Sequence, residues 1–499
     1  MIYVVDGEPI VNKDANPSDR FLDTQEPLDS PFRFTRMFEE QREQPPDHLL
    51  RCLGEKMARD TSDAQLDGPI PAGYTYLGQF IAHEITHNGS EYKKALQNIE
   101  QLTSPSVNLG SLYGDKLYLG DEDTSYYLEI GQTKLDDINV ELPQFLNDLP
   151  RTDGQPKINE KRNDNNLNLA QIHVAMIRFH NAVASRLSQS GEVSAKKIRK
   201  TVIQHFQSVV LNDFLRKVVN EYVYSDVIEH GPTFYRPARS PENPYPAMPL
   251  EFAMAAFRFG HSMVRSKYTP AWNGYHHPGL DTLLRQTNNV GGIDQLQSSW
   301  VANWSRLFDF RELGITVEQP LFARRIDTRI ARALGDLPAG ALPAPAPSAN
   351  LPIRTLLFGA AARLPSGEAA SRQMNCALSR ARRRIEPIPV LSEDEITADE
   401  DEDVRCILED PRMRGNTPLW FYILKEAQLR ECGERLGPLG GRIVMEVLYE
   451  LIANSDYSIL QEKNWRPSLP FRSGKEGYVM TDLLALAGDI DPFPQPICA

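Results

Sequence analysis

Apolar residues recur at helical spacing in several parts of the chain. In 76-YLGQFIAHEITHNG-89, Leu77, Ile81 and Ile85 fall four residues apart with Phe80 beside them, which predicts one buried helix. Within 161–191 the apolar positions 169, 172, 176, 177, 183 and 187 keep a helical period, and Gly191 ends it. A second long helix is predicted over 194–223. The run 248-MPLEFAMAAFRFGHSMV-264 is nearly all apolar on its first two turns and predicts a third, deeply buried helix. Further helices are expected near 32–44, 318–335, 417–432 and 440–455, and one from Ser366 onward. Short strands or loops are expected only around 111–119 and 126–133. The fold class is therefore mainly α with few short strands.

Residues 1–70 are polar and rich in Pro and Asp, and read as an extended N-terminal arm carrying the short helix. Residues 71–460 read as the catalytic domain and 461–499 as a tail packed on it. The Ala- and Pro-rich stretch 335–352 cannot continue a helix and reads as a surface excursion. The acidic run 393-EDEITADEDED-403 reads as a solvated face without a functional role.

Composition narrows the partners. A net charge of −13 argues against nucleic acid or anionic lipid, which need clustered Lys and Arg. No run approaches 18 apolar residues, so no membrane span is expected. The N-terminus lacks a basic region followed by a long apolar one, so no secretory signal is expected. The five cysteines are scattered without a CxxC pair, which suggests a reduced, cytoplasmic protein.

The stretch 76–89 carries two incompatible chemistries. His83-Glu84-Ile85-Thr86-His87 matches HExxH, the zinc-protease helix motif. Catalytic zinc needs a third ligand. The extended form of the motif would put Gly at 90 and His at 93, where Ser90 and Lys93 stand, and Glu100 is the remaining nominee. Alternatively, Gln79 and His83 lie at i and i+4 on one helix face, suited to the wall above a haem iron. A peroxidase needs such a base, a fixed cation nearby, and an axial imidazole across the iron.

Three stretches meet those demands in order. Gly78-Gln79-Phe80-Ile81-Ala82-His83-Glu84 resembles the distal helix of the animal-type haem peroxidase (peroxidase–cyclooxygenase) superfamily. Arg162-Asn163-Asp164-Asn165-Asn166, with Leu169, His173, Arg178, His180 and Asn181 after it, resembles that family's catalytic-arginine stretch. Ala256-Phe257-Arg258-Phe259-Gly260-His261 resembles its proximal histidine motif, and 364-LPSG-367 is a further anchor. The resemblance covers roughly 30–460. It implies a helical fold holding haem b between a distal helix and the His261 helix. Residue by residue it implies His83 as distal acid–base, Gln79 as its neighbour toward a distal water or small anion, and Arg162 as charge stabiliser. His261 would ligate the iron and Arg258 would pair with a propionate. Hydrogen peroxide would yield a ferryl species that oxidises an organic donor or a halide. A biosynthetic oxidase or oxygenase acting on one metabolite is the alternative within haem chemistry.

The chain also departs from the family. The two carboxylates that esterify haem in mammalian members correspond to Ala82 and Asn165, and the sulfonium-forming Met of one relative to Asn166, so non-covalent haem is expected. The calcium loop resembles 104-SPSVNLGSLYG-114, with Glu84, Ser104 and Asn108 as candidate oxygens. Only Glu84 is charged, which argues against tight calcium binding. The Asn that usually orients the proximal His falls on Thr355, and Phe358 stands where a second propionate-binding Arg is common. The cyclooxygenases' radical Tyr corresponds to Arg258, which disfavours that type of fatty-acid oxygenation. His173 and His180 read as packing or hydrogen-bonding residues. His276 and His277 fall in a polar loop, and His87 one turn beyond the pocket.

Overall fold

The computed structural model describes residues 32–492 apart from short segments (60–65, 88–90, 93–99, 102, 115–125, 136–145, 192–193, 238–244, 269–271, 274–275, 316–319, 339–347, 472 and 489), and the two strands Ile2–Val5 and Glu8–Val11. Helices build the core and strands only tie segments together. Leu167–Gln189 is the central helix, packed against Gly73–Ile85, Ala195–Ser208 and the C-terminal Met480–Ala487. Its start is fixed by Asn166, whose Oδ1 accepts the Leu169 amide at 2.9 Å. On the other side, Leu351–Ala361 packs between Asp47–Met57 and Leu419–Arg430. Gly54 permits that approach, since a Cβ there would lie 2.6 Å from the Ile353 nitrogen.

Several elements differ from the sequence expectation. The helix expected at 32–44 is a strand, Phe32–Thr35, and the helix lies later, at Asp47–Met57. Leu49, Leu50, Leu53 and Met57 give that helix its buried face. The strand pairs in parallel with Met248–Pro249 and antiparallel with Glu100–Gln101, partners remote in sequence. The helix expected over 318–335 is two short strands, Phe322–Arg324 and Ile330–Ala331, pinned to Asp67–Pro71 and Ala58–Arg59. A helix, Gly110–Tyr113, replaces the strand expected from 111, and 115–119 lies outside the described residues.

The next two helices expected after Leu167–Gln189 are both interrupted. The one expected over 194–223 runs Ala195–Ser208, passes through a π-helical turn at Val209–Phe214, and ends with Leu215–Val218; Glu221–His230 is separate. The stretch 248–264 is Leu250–Met254, a break at Ala255 (φ −136°, ψ −70°), a 3₁₀ turn Ala256–Phe259, and Gly260–Met263. The acidic run is not one solvated face. Ser392 and Glu395 form a capping box for Glu393–Thr397, and Glu400 is buried 2.9 Å from the ammonium of Lys425, itself fully buried. The surface excursion expected up to 352 ends early, because Asn350 caps the buried helix Leu351–Ala361.

Candidate active site

Leu77, Phe80, Ile81 and Ile85 are fully buried and face helix Gly73–Ile85 into the core. The opposite stripe, Tyr76, Gln79, Ala82, His83 and then Thr86, lines a cavity of about 1340 Å3 including its open mouth. Across that cavity stand Phe257, Arg258, Gly260 and His261. The distal helix and the proximal segment therefore enclose one space, with an imidazole from each side. The helix stops at Thr86, whose backbone turns extended (φ −135°, ψ 127°), so His87 does not share a helix face with His83. That removes the geometric basis of the zinc motif, and among the described residues no cluster of three or more His, Cys, Asp or Glu could hold a metal ion.

His83 is buried and its Nδ1 lies 2.8 Å from Asn163 Oδ1. Burial, then the Arg162 charge, push its pKa down to about 3, so the ring is neutral. Arg162 does not line the cavity. It braces the end of the distal helix: Nη2 donates to the carbonyls of His83 (2.9 Å) and Thr86 (2.8 Å), and Nε and Nη2 donate to Glu160 (2.8 and 2.7 Å). Burial raises the Glu160 carboxyl, but Arg162 holds it at about 2. Gln79 Oε1 accepts from Asn166 Nδ2 at 3.0 Å, which leaves its NH2 as the amide's donor end on the cavity wall.

On the proximal side, burial and then the charges of Arg258 and Arg354 push the His261 pKa down to about 3. A neutral imidazole is the form that ligates a metal. Trp420 packs edge-on against this ring, centroids 6.0 Å apart, and its indole N–H donates to the Arg258 carbonyl. Arg354 is a residue that sequence reasoning missed. It lines the cavity one helical turn before Phe358, on the same face of Leu351–Ala361. Arg258 is pushed down to about 9, first by burial and then by Arg354. Two buried guanidiniums on one wall favour an anionic occupant.

Residues 127–310, which include Arg162, Arg258 and His261, match the family model described as animal haem peroxidase. Over those residues the chain is similar to an animal haem peroxidase domain. A 150-residue stretch is 30% identical to a peroxidasin homologue of Caenorhabditis elegans, covering 25% of this chain and 11% of that much longer protein. The whole fold is similar to peroxidase A from Dictyostelium discoideum (TM-score 0.56, 15% identity, 99% of this chain and 98% of that one). It is also similar to the fatty acid α-dioxygenases of Arabidopsis thaliana (TM-score 0.52, 11% identity, 89% and 73% covered) and Oryza sativa (0.54, 10%, 97% and 85%). At these identities the likeness to solved structures is one of fold.

Similarity to a haem peroxidase domain implies haem, and the cavity suits it: a neutral His261, two arginines for two propionates, and apolar walls including Phe214, Phe252 and Leu351. Ala82 and Asn165 both line the cavity, so the positions that carry esterifying carboxylates elsewhere face the cofactor space here without one. Thr355 lies outside the cavity lining and its hydroxyl donates to the Leu351 carbonyl at 3.0 Å. Leu351, one turn earlier, is the residue that lines the cavity.

Glu84, Ser104 and Asn108, which precede the matched residues, do come together, around a second, smaller cavity. Their polar atoms engage the protein itself. The Glu84 carboxylate accepts the amides of Gly110 (2.7 Å) and Ser111 (3.0 Å); Ser104 bonds Ser106 at 2.8 Å; Asn108 donates to Ser106 and accepts from the Asp456 amide. EDTA is accordingly expected to leave the thermal unfolding midpoint unchanged. Glu84→Ala should lower stability by about 1–3 kcal/mol, the effect of stranding buried amides. A midpoint that falls sharply with EDTA would restore calcium to this loop.

Proposed function

We propose that this protein is a peroxidase that binds haem b non-covalently and uses hydrogen peroxide to oxidise an organic donor or a halide. The observation that carries the reading is a neutral, buried His83 anchored through Nδ1 and facing the same cavity as His261. When bound, haem would supply the two-electron redox chemistry that links peroxide reduction to oxidation of the donor.

The chain's own residues supply the rest. His261 would ligate the iron, with Trp420 fixing its ring, and Arg258 and Arg354 would hold the propionates. His83 takes the proton of the incoming peroxide at Nε2 and returns it to the departing oxygen. Gln79 directs its amide N–H toward the same space, orienting the peroxide or a small anion. Arg162 acts from behind the helix end. Together with burial, which is the larger cause, its guanidinium keeps His83 neutral, and it favours negative charge as the O–O bond breaks. Arg258, on the cavity wall at the position of the cyclooxygenases' tyrosine, supports a peroxidase over fatty-acid oxygenation of that type.

The test is the absorption spectrum of the purified protein, before and after one equivalent of hydrogen peroxide. A Soret band that shifts on addition supports the reading, and a colourless protein that stays so when haem is supplied removes it. Because Ala82 and Asn165 offer no carboxylate, acidified organic solvent should extract all of the haem. Colour remaining with the polypeptide would mean a covalent link.

A further inference from the structure

Asn163 sits in the 3₁₀ turn Lys161–Asp164, fully buried between two imidazoles. Its Oδ1 lies 2.8 Å from His83 Nδ1, and its Nδ2 lies 2.9 Å from Nδ1 of His173 on helix Leu167–Gln189. A carboxamide accepts only at oxygen and donates only at nitrogen. In this orientation His83 must carry its proton on Nδ1, leaving Nε2 bare on the cavity side. His173 must accept at Nδ1 and carry its own proton on Nε2. Turned over, the amide would donate to His83, which would then hold its proton on Nε2 and could not accept another there.

Two features select the first orientation. A His83 that has taken a proton at Nε2 becomes a donor at both nitrogens, and only the amide oxygen can receive its Nδ1–H. The amide nitrogen must then have an acceptor. His173 is one because it is neutral: burial pushes its pKa down to about 4, against the opposing pull of the Glu160 carboxylate. A charged His173 would set N–H against N–H.

We propose that Asn163 and His173 form a directional relay that holds His83 in its Nδ1–H tautomer, so that Nε2 is the base at the cavity. Both are positioning residues. The proposal rests on His83 being the proton acceptor named above.

The test is the tautomeric state of the two rings, read by 15N NMR on the full chain labelled at histidine, as purified and again with diamagnetic zinc protoporphyrin bound. Resonances are assigned with His83→Gln and His173→Gln. The expected result is a proton on Nδ1 of His83 and on Nε2 of His173. In Asn163→Asp the carboxylate accepts from both sides, so His173 moves its proton to Nδ1 while His83 is unchanged. In Asn163→Leu, His83 populates both tautomers and the haem-loaded protein reacts with peroxide about 10–100-fold more slowly, the usual effect of losing an outer-shell partner. Asn163→Asp recovers the rate. A proton on Nε2 of His83 in the unsubstituted chain, or a His173 indifferent to Asn163→Asp, overturns the relay. The expected tautomers in a protein inert to peroxide would uphold the relay's geometry and sink the proposed function instead.

Discussion

With His83 replaced by leucine, the protein keeps its full complement of haem but reacts with hydrogen peroxide roughly 10²–10⁴-fold more slowly, the span by which a positioned acid–base accelerates proton transfer. The substitution leaves His261, Arg258 and Arg354 on the cavity wall, so haem binding is untouched. What disappears is the group that carries a proton between the two peroxide oxygens. The pH profile gives the same argument a second reading. A histidine in water loses its proton near 6.5, but His83 is held at about 3 by burial and by Arg162. The folded pKa is depressed, so the neutral base is present at neutral and mildly acidic pH and is lost only as pH falls through about 3. Stopped-flow rates in the unsubstituted protein should stay level through pH 6.5. A fall in rate centred there, or an undiminished rate in His83→Leu, would take the base away from this residue.

The second large effect lies across the cavity. His261→Ala should purify almost free of haem, and its affinity on titration should fall by more than the roughly 10–100-fold typical of losing an outer-shell partner, since here the iron ligand itself is removed. Haem content per chain and the position of the Soret band measure this. The two substitutions separate cleanly, because His83→Leu slows the reaction with the cofactor retained and His261→Ala removes the cofactor. A His261→Ala protein with full haem and an unaltered spectrum would mean that another side chain supplies the axial ligand.

Much of this site was legible in the chain. Leu77, Ile81 and Ile85 recur with a period that only a helix explains, and that helix carries Gln79 and His83 to one face. The proximal stretch was legible in content but not in shape. In a stretch as largely apolar as 250–257, the one charged residue, Glu251, sets no polar phase from which to infer a break, and Ala255 carries no helix-ending signal. Phe322–Arg324 looked helical because its partner strand, Asp67–Pro71, is some 250 residues away and local periodicity does not register distant pairing. Arg354 is not evident from the sequence because the position of the second arginine falls on Phe358, one turn along the same face. Asn163, an uncharged amide beside Arg162, has no signal in the sequence, because only the fold brings His83 and His173 to its two ends.

The π turn at Val209–Phe214 has a bearing on how relatives of this chain should be aligned. Such a turn holds one residue more than a regular helix of the same length. Its upstream helix is anchored by Gln207, which bonds Val107 and Ile459, and its downstream end by Asp213, which receives Tyr74 and Met480 and sets Phe214 against the cavity. A relative without the extra residue can keep both anchors only if the gap is opened inside 209–214. A gap pushed into the loops on either side would rotate every later residue of the helix by about 100° and pair Phe214 with the wrong position.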